Sequence, residues 1–190
     1  MKRKIKKRFY LILFILMFLL ILNIGNIIKM LYPVKHLDHI KAYATQYGVD
    51  PYLIMGIIKT ESNFEADAVS HKNATGLMQI MEPTAKWLAS KMELADFSYT
   101  DITDPALNIQ MGCYYIHYLL EHYDGNTENA LAAYNAGQGT VDKWLKNPEY
   151  SKNGDALSLV PYPETRKYIQ RVINNQKIYS RLYPYSTPYK

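Results

Sequence analysis

The sequence predicts an all-α globular domain carried behind an N-terminal transmembrane helix. Three observations lead there. Apolar residues recur at helical spacing through most of the chain, and Asp-Pro pairs at Asp50-Pro51 and Asp104-Pro105 give two cap-plus-proline helix starts. No alternating strand pattern runs beyond a few residues, and there is no internal repeat or low-complexity tract. A length of 190 residues suits one domain plus an appendage.

The first element is a membrane span. Phe9 to Leu22 is an unbroken apolar run, and the uncharged stretch continues through Asn23, Gly25 and Asn26 to Ile28. About 20 residues at helical rise cross a bilayer's hydrocarbon core. Lys2, Arg3, Lys4, Lys6, Lys7 and Arg8 precede every acidic residue, which predicts a cytoplasmic N-terminus and an exported C-terminal domain. A cleaved signal peptide is the alternative. No A-x-A-like pair follows Leu22, and the single cysteine, Cys113, excludes a lipobox near the N-terminus. An uncleaved anchor is therefore expected.

The same six residues remove the apparent basicity of the protein. The formal charge is +5, but without them 16 basic residues face 17 acidic ones. A domain near neutrality has no general affinity for polyanions, so nucleic acid is not expected as a partner.

The domain helices follow in order. Leu37, Ile40, Ala44 and Tyr47 share one face of a first helix that stops at Gly48. A second covers about 51–62, a third 84–92, and a polar connection over 96–103 leads to a long one over 105–123. Shorter helices are expected at 127–134 and 140–146. A polar loop over 150–162 precedes the last helix, 164–182. A small β-element within 66–79 is compatible with the pattern. Cys113 shares an apolar stripe with Ile109, Ile116 and Leu120 and reads as a buried small hydrophobe.

One residue on the second helix breaks its apolar pattern. Ile54, Ile57, Ile58 and Glu61 follow i, i+3, i+4, i+7 spacing, so a carboxylate stands on the stripe that is buried. Desolvation and the negative end of the helix dipole both oppose its ionisation. A glutamic acid kept protonated near neutral pH can protonate a leaving-group oxygen.

Four ordered motifs add to this reading. They are E-S-x-F with A-x-S from Glu61 to Ser70, GLMQI with P-T-A from Gly76 to Ala85, AYNAG from Ala133 to Gly137, and P-x-P-E-T-R-x-Y from Pro161 to Tyr168. Together they resemble the transglycosylase SLT domain of lytic transglycosylases, a branch of the lysozyme-like superfamily, over roughly residues 35–182. The resemblance implies that the chain cleaves the N-acetylmuramic acid–N-acetylglucosamine bond of peptidoglycan glycan strands. Glu61 would serve first as acid and then as base, with the substrate's acetamido group stabilising C1 and its C6 hydroxyl closing a 1,6-anhydro ring. Such substrate assistance explains how one carboxylate suffices.

By position in those motifs, the residues expected to bind substrate are Ser70, Gly76, Met78, Gln79, Met81, Tyr134 and Asn135. Gly76 would allow close backbone approach, and Met78 and Met81 would give apolar contacts. Tyr134 would hydrogen-bond near the acid or reach the carbohydrate, while Asn135 would fix its loop. Ser62, Glu164 and Tyr168 are expected to support the site from behind, Ser62 as a helix-end cap. Without the motifs, Ser70 reads as a turn serine, Gln79 as a surface glutamine and the methionines as core. Eighteen tyrosines agree with a glycan groove without establishing one.

The expected organisation is a basic cytoplasmic segment (1–8), a transmembrane anchor (9–28), a tether (29–35), the catalytic domain (36–183) and a tail (184–190). The location is the cytoplasmic membrane with the domain on its extracytoplasmic side. No cofactor is expected, and no metal, because His36 and His39 lack a third ligand and His117 and His122 are five apart. Two other readings stay open: a muramidase that ends in hydrolysis, and a non-catalytic wall-binding module.

Overall fold

Two units make up the chain in the computed structural model, Met1–Pro33 and Val34–Lys190, with residues 2–184 described. The first is one helix, α1 (Lys2–Leu31), whose segment Phe9–Leu31 has a mean hydropathy of 2.8 and no buried residue in its most apolar stretch. It is long and apolar enough to cross a membrane. It takes in the first residues of the expected tether, because Lys29, Met30 and Leu31 are good helix formers and the first proline comes only at Pro33. All of the expected tail but Pro184 lies outside the described residues.

The second unit is helical throughout. Its elements are α2 (Leu37–Tyr47), α3 (Pro51–Glu61), α4 (Glu82–Lys91), α5 (Pro105–His122), α6 (Thr127–Ala136), α7 (Gln138–Leu145) and α8 (Pro163–Leu182). The β-element expected near 66–79 is reduced to two isolated bridges, Val69 with Thr75 and Thr75 with Ile80.

The caps explain most of the boundaries. The Asp50 side chain accepts from the Tyr52 amide (2.9 Å), and Asp104 accepts from Leu107 (2.9 Å). Gly48 ends α2 at φ 64°, a conformation open to glycine. Elsewhere the sequence expectations shift. The cap of α6 is Asn126, which accepts from Asn129 (3.0 Å), so Thr127 is the first helical residue and not the cap. The helix α7 starts at Gln138, ahead of Thr140, because Gly137 at φ 89° both ends α6 and starts α7. The polar connection contains a 3-10 turn, Tyr99–Thr103, entered by a bond from the Ser98 amide to Asp101 (2.9 Å).

Helix α3 is the centre of the domain. Leu53 through Ile58 are all buried, as befits a helix surrounded on every side. Its principal neighbour is α8, which runs antiparallel to it: Tyr183 O accepts from Tyr52 Oη near one end (2.9 Å), and Asn175 donates to Thr60 nearer the other (3.0 Å). The two helices approach closely at Gly56. A β-carbon there would stand 2.8 Å from the Val172 carbonyl oxygen and 3.1 Å from the Gln176 amide nitrogen.

The glycine is thus a packing requirement. Gly56→Val is expected to lower unfolding free energy by at least about 2 kcal/mol in denaturant titrations, since overpacking outweighs the gain in helix propensity. Wild-type stability in this variant would show that α8 is not held by that contact.

Candidate active site

Glu61 is the last residue of α3, where the apolar helix reaches a groove of about 480 Å³. The carboxyl is only partly accessible, from the groove side, and burial raises its pKa from 4.5 to about 7. Two neighbours pull in the opposite direction, the Tyr168 phenol and the Arg171 guanidinium, both on α8. Desolvation prevails. The Tyr168 hydroxyl faces the carboxyl more loosely than a formed hydrogen bond. Among the described residues it is the only fully buried side-chain oxygen or nitrogen left without a partner.

The loop after Glu61 is fixed from beneath. Ser62 caps α3 and donates to the Leu77 carbonyl (2.8 Å), tying the acid's helix to the GLMQI segment. Asn108 of α5, wholly buried, accepts from the Met78 amide (2.8 Å) and donates to the carbonyls of Thr75 (3.1 Å) and Ile102 (2.9 Å). Tyr134 donates to the Met78 carbonyl (2.8 Å). The bonds of Ser62 and Asn108 lie inside the protein, where unmade hydrogen bonds cost most.

Several expected site residues line the groove. Ser70 accepts from the amides of Lys72 (3.3 Å) and Ala74 (3.0 Å), which makes it a turn residue as well as a wall of the groove. Gln79 donates to the Ala68 and Gly76 carbonyls (both 2.9 Å), so its amide nitrogen is already engaged. Met81 is 42 % exposed at the rim. Asn135 lines the other wall and accepts from Thr165 (2.9 Å), joining AYNAG to P-E-T-R. Glu164, an exposed first-turn residue of α8, also borders the groove.

Two residues sit elsewhere than expected. The Met78 side chain is fully buried against Gly112, so only its backbone belongs to the clamp. Gly76 is buried at φ 84°, and a β-carbon would collide with the Asn108 side chain and the Ile102 carbonyl, so it makes room for the protein's own interior. Tyr134 is close enough to Glu61 for the acid's charge to act on it, its hydroxyl donates to the Met78 carbonyl, and a second phenol, Tyr168, faces Glu61 from α8.

The remaining acids are not beside Glu61. Glu65 is exposed and pairs loosely with Lys35 (3.7 Å), Asp67 is exposed, and neither borders the groove. Arg166 donates to the Val160 carbonyl (3.0 Å).

Sequence reasoning missed His71, Lys72, Thr84 and Tyr115, which also line the groove. The first three lie on loop or helix-start positions with no periodic signal. Asn108 was findable, as an amide beside the apolar residue Ile109 just inside an Asp-Pro helix start.

The raised pKa makes a stability prediction. Below about pH 4.5 Glu61 is protonated in both folded and unfolded chains. As pH rises to about 7 the unfolded chain releases the proton first, so native stability falls. Glu61→Gln removes that loss. The variant is expected to gain up to about 3 kcal/mol over wild type at pH 8 and nothing at pH 4. A pH-independent difference in unfolding free energy would contradict the burial account.

Known proteins resemble this chain in sequence and fold. The sequence profile described as the transglycosylase SLT domain matches residues 38–156. The membrane-bound lytic murein transglycosylase C of Edwardsiella ictaluri is 33% identical over 173 residues, covering 78% of this chain and 47% of the relative. The soluble lytic murein transglycosylase of Escherichia coli K12 is 32% identical over 146 residues, covering 75% of this chain and 22% of the relative. Among solved structures, an inactive Glu→Gln mutant of the lytic transglycosylase Slt from Pseudomonas aeruginosa superposes with a TM-score of 0.71 at 32% identity, over 80% of this chain and 25% of that one. A 70-kDa soluble lytic transglycosylase in complex with bulgecin A gives 0.72 at 28% identity, over 81% and 25%. The chain therefore spans less than half the length of these relatives. By fold, motif order and profile match, it belongs to the transglycosylase SLT domain family.

Proposed function

We propose that this protein is a membrane-anchored lytic transglycosylase that cuts peptidoglycan glycan strands outside the cytoplasmic membrane. The observation that carries the reading is Glu61 itself, a groove-facing carboxyl raised by burial to about 7. At neutral pH it is poised both to give a proton and to take one back. That the Pseudomonas relative is inactive with glutamate changed to glutamine supports the same assignment.

In the proposed reaction Glu61 protonates the oxygen between N-acetylmuramic acid and N-acetylglucosamine, and the C1–O bond breaks. The muramic acid's acetamido oxygen holds C1 from the opposite face. The carboxylate then accepts the proton of the C6 hydroxyl, whose oxygen bonds to C1. The products are a 1,6-anhydro-muramic end and a free N-acetylglucosamine end, with no water consumed and Glu61 again protonated. Ser70, Gln79 and Asn135 supply polar atoms along the groove, Met81 an apolar rim, and Tyr134 and Ser62 keep the loop in place.

One observation favours a second reading, hydrolysis by a muramidase: Glu164 borders the same groove and could activate water. The position of Glu164 at the exposed start of α8 suits a carboxylate stabilised by the helix dipole instead.

For topology, α1 is the anchor and the six basic residues ahead of Phe9 hold the N-terminus in the cytoplasm. Protease added to intact spheroplasts should digest the domain, and a mature N-terminus beginning between Asn23 and Tyr32 would refute the anchor. For chemistry, muropeptides released from purified sacculi in ¹⁸O-water should carry unlabelled anhydro ends. Glu61→Gln should release none, and Glu164→Gln should still turn over. Reducing muramic ends with ¹⁸O at C1, lost in Glu164→Gln, would establish hydrolysis instead.

A further inference from the structure

Aromatic rings continue beyond the groove. Tyr134 and Tyr115, both groove residues, have ring centroids 5.2 Å apart. From Tyr115 the run passes to Trp87 of α4 (6.0 Å), from Trp87 to Tyr118 (4.9 Å), and from Tyr118 to a stacked His122 (6.3 Å, planes 16° apart). Tyr115, Tyr118 and His122 are spaced by three and four, so they stand on one face of α5. They lie seven helical steps apart from first to last, about 10 Å of helix. Trp87 and Tyr118 are half-buried and His122 is exposed, so the run emerges at the surface.

It ends at a depression of about 700 Å³, distinct from the groove. Its rim is already hydrogen-bonded. Tyr123 donates to Asp142 Oδ1 (3.0 Å), His122 Nε2 lies 3.2 Å from that oxygen, and Gln138 Nε2 lies 3.1 Å from the imidazole. Lys146 and Lys152 offset the acidic residues around it, so the cavity has no strong charge of either sign.

We propose that this run and depression form a second saccharide site, which takes N-acetylhexosamine units of a glycan strand extending out of the groove. Ring faces suit the apolar faces of sugars, while hydroxyl, carboxylate, imidazole and amide groups suit hydroxyl and acetamido substituents. A nearly neutral rim suits a neutral ligand over a polyanion. The occupant is the glycan substrate of the proposed reaction, on which this inference rests.

The test is calorimetry on the full-length protein in detergent, carrying Glu61→Gln so that nothing is cleaved, with chitotriose and chitoheptaose as ligands. Tyr118→Ala and, separately, the surface change His122→Ala should each weaken chitoheptaose binding about tenfold, the worth of one ring contact. Chitotriose, expected to stay within the groove, should bind unchanged. Unaltered chitoheptaose affinity in folded variants would overturn the second site, as would an equal loss for both ligands, which reports a distorted groove. Absence of any saccharide binding in the parent Glu61→Gln protein would instead undermine the glycan reading of the groove itself.

Discussion

The approach of α8 to α3 at Gly56 is the constraint on which the rest depends. Without a side chain there, the backbones of Val172 and Gln176 come against α3, and the preceding turns of α8 lie over the end of that helix. Those turns carry Tyr168 and Arg171 to Glu61. Burial by this packing moves the carboxyl from 4.5 to about 7, worth about 3 kcal/mol. A domain of this size has a net stability of only about 5–15 kcal/mol, so the strain is a sizeable share. It is tolerable because the core around α3 is continuous, from Leu53 to Ile58 on α3 and Ile169 to Tyr179 on α8.

A raised acid is useful only if the groove opposite it keeps its shape. The segment from Gly76 to Ile80 has little regular secondary structure to hold it, only the isolated bridge of Ile80 with Thr75. Ser62, Asn108 and Tyr134 replace the missing sheet, bonding it from three separate helix ends or faces. Each bond is intramolecular, and those of Ser62 and Asn108 are buried, so the loop is ordered before substrate arrives, at no further cost in conformational entropy on binding. Ser62 has a double role, since it also terminates the helix that carries the acid.

Much of this was legible in the sequence, and the parts that were not share a cause. Local rules placed α2, α3, α5 and α8, because Gly48, Asp50-Pro51, Asp104-Pro105 and Pro163 announce their ends. The helical stripe put Glu61 on a buried face. What local rules could not give was direction in three dimensions. Gly76 and Met78 stand within a motif that borders the groove, yet their neighbours across the fold are Asn108 and Gly112, thirty residues or more away. Of the two phenols near Glu61, Tyr134 of the AYNAG motif gives its hydroxyl proton to the Met78 carbonyl, and the one that opposes the rise in the acid's pKa comes from Tyr168, more than a hundred residues on. Gly137 shifted two helix boundaries because one residue served both α6 and α7, which spacing alone does not reveal.

The central claim is that packing alone, against two neighbours that oppose it, holds Glu61 protonated up to neutrality. Its most direct test is an NMR titration of the protein labelled with ¹³C at glutamate side-chain carboxyls, with the Glu61 resonance assigned by its loss in Glu61→Gln. The expected midpoint for that resonance is near 7, well above the ordinary carboxylate value of 4.5. A Glu61 midpoint at the ordinary value of 4.5 would contradict it.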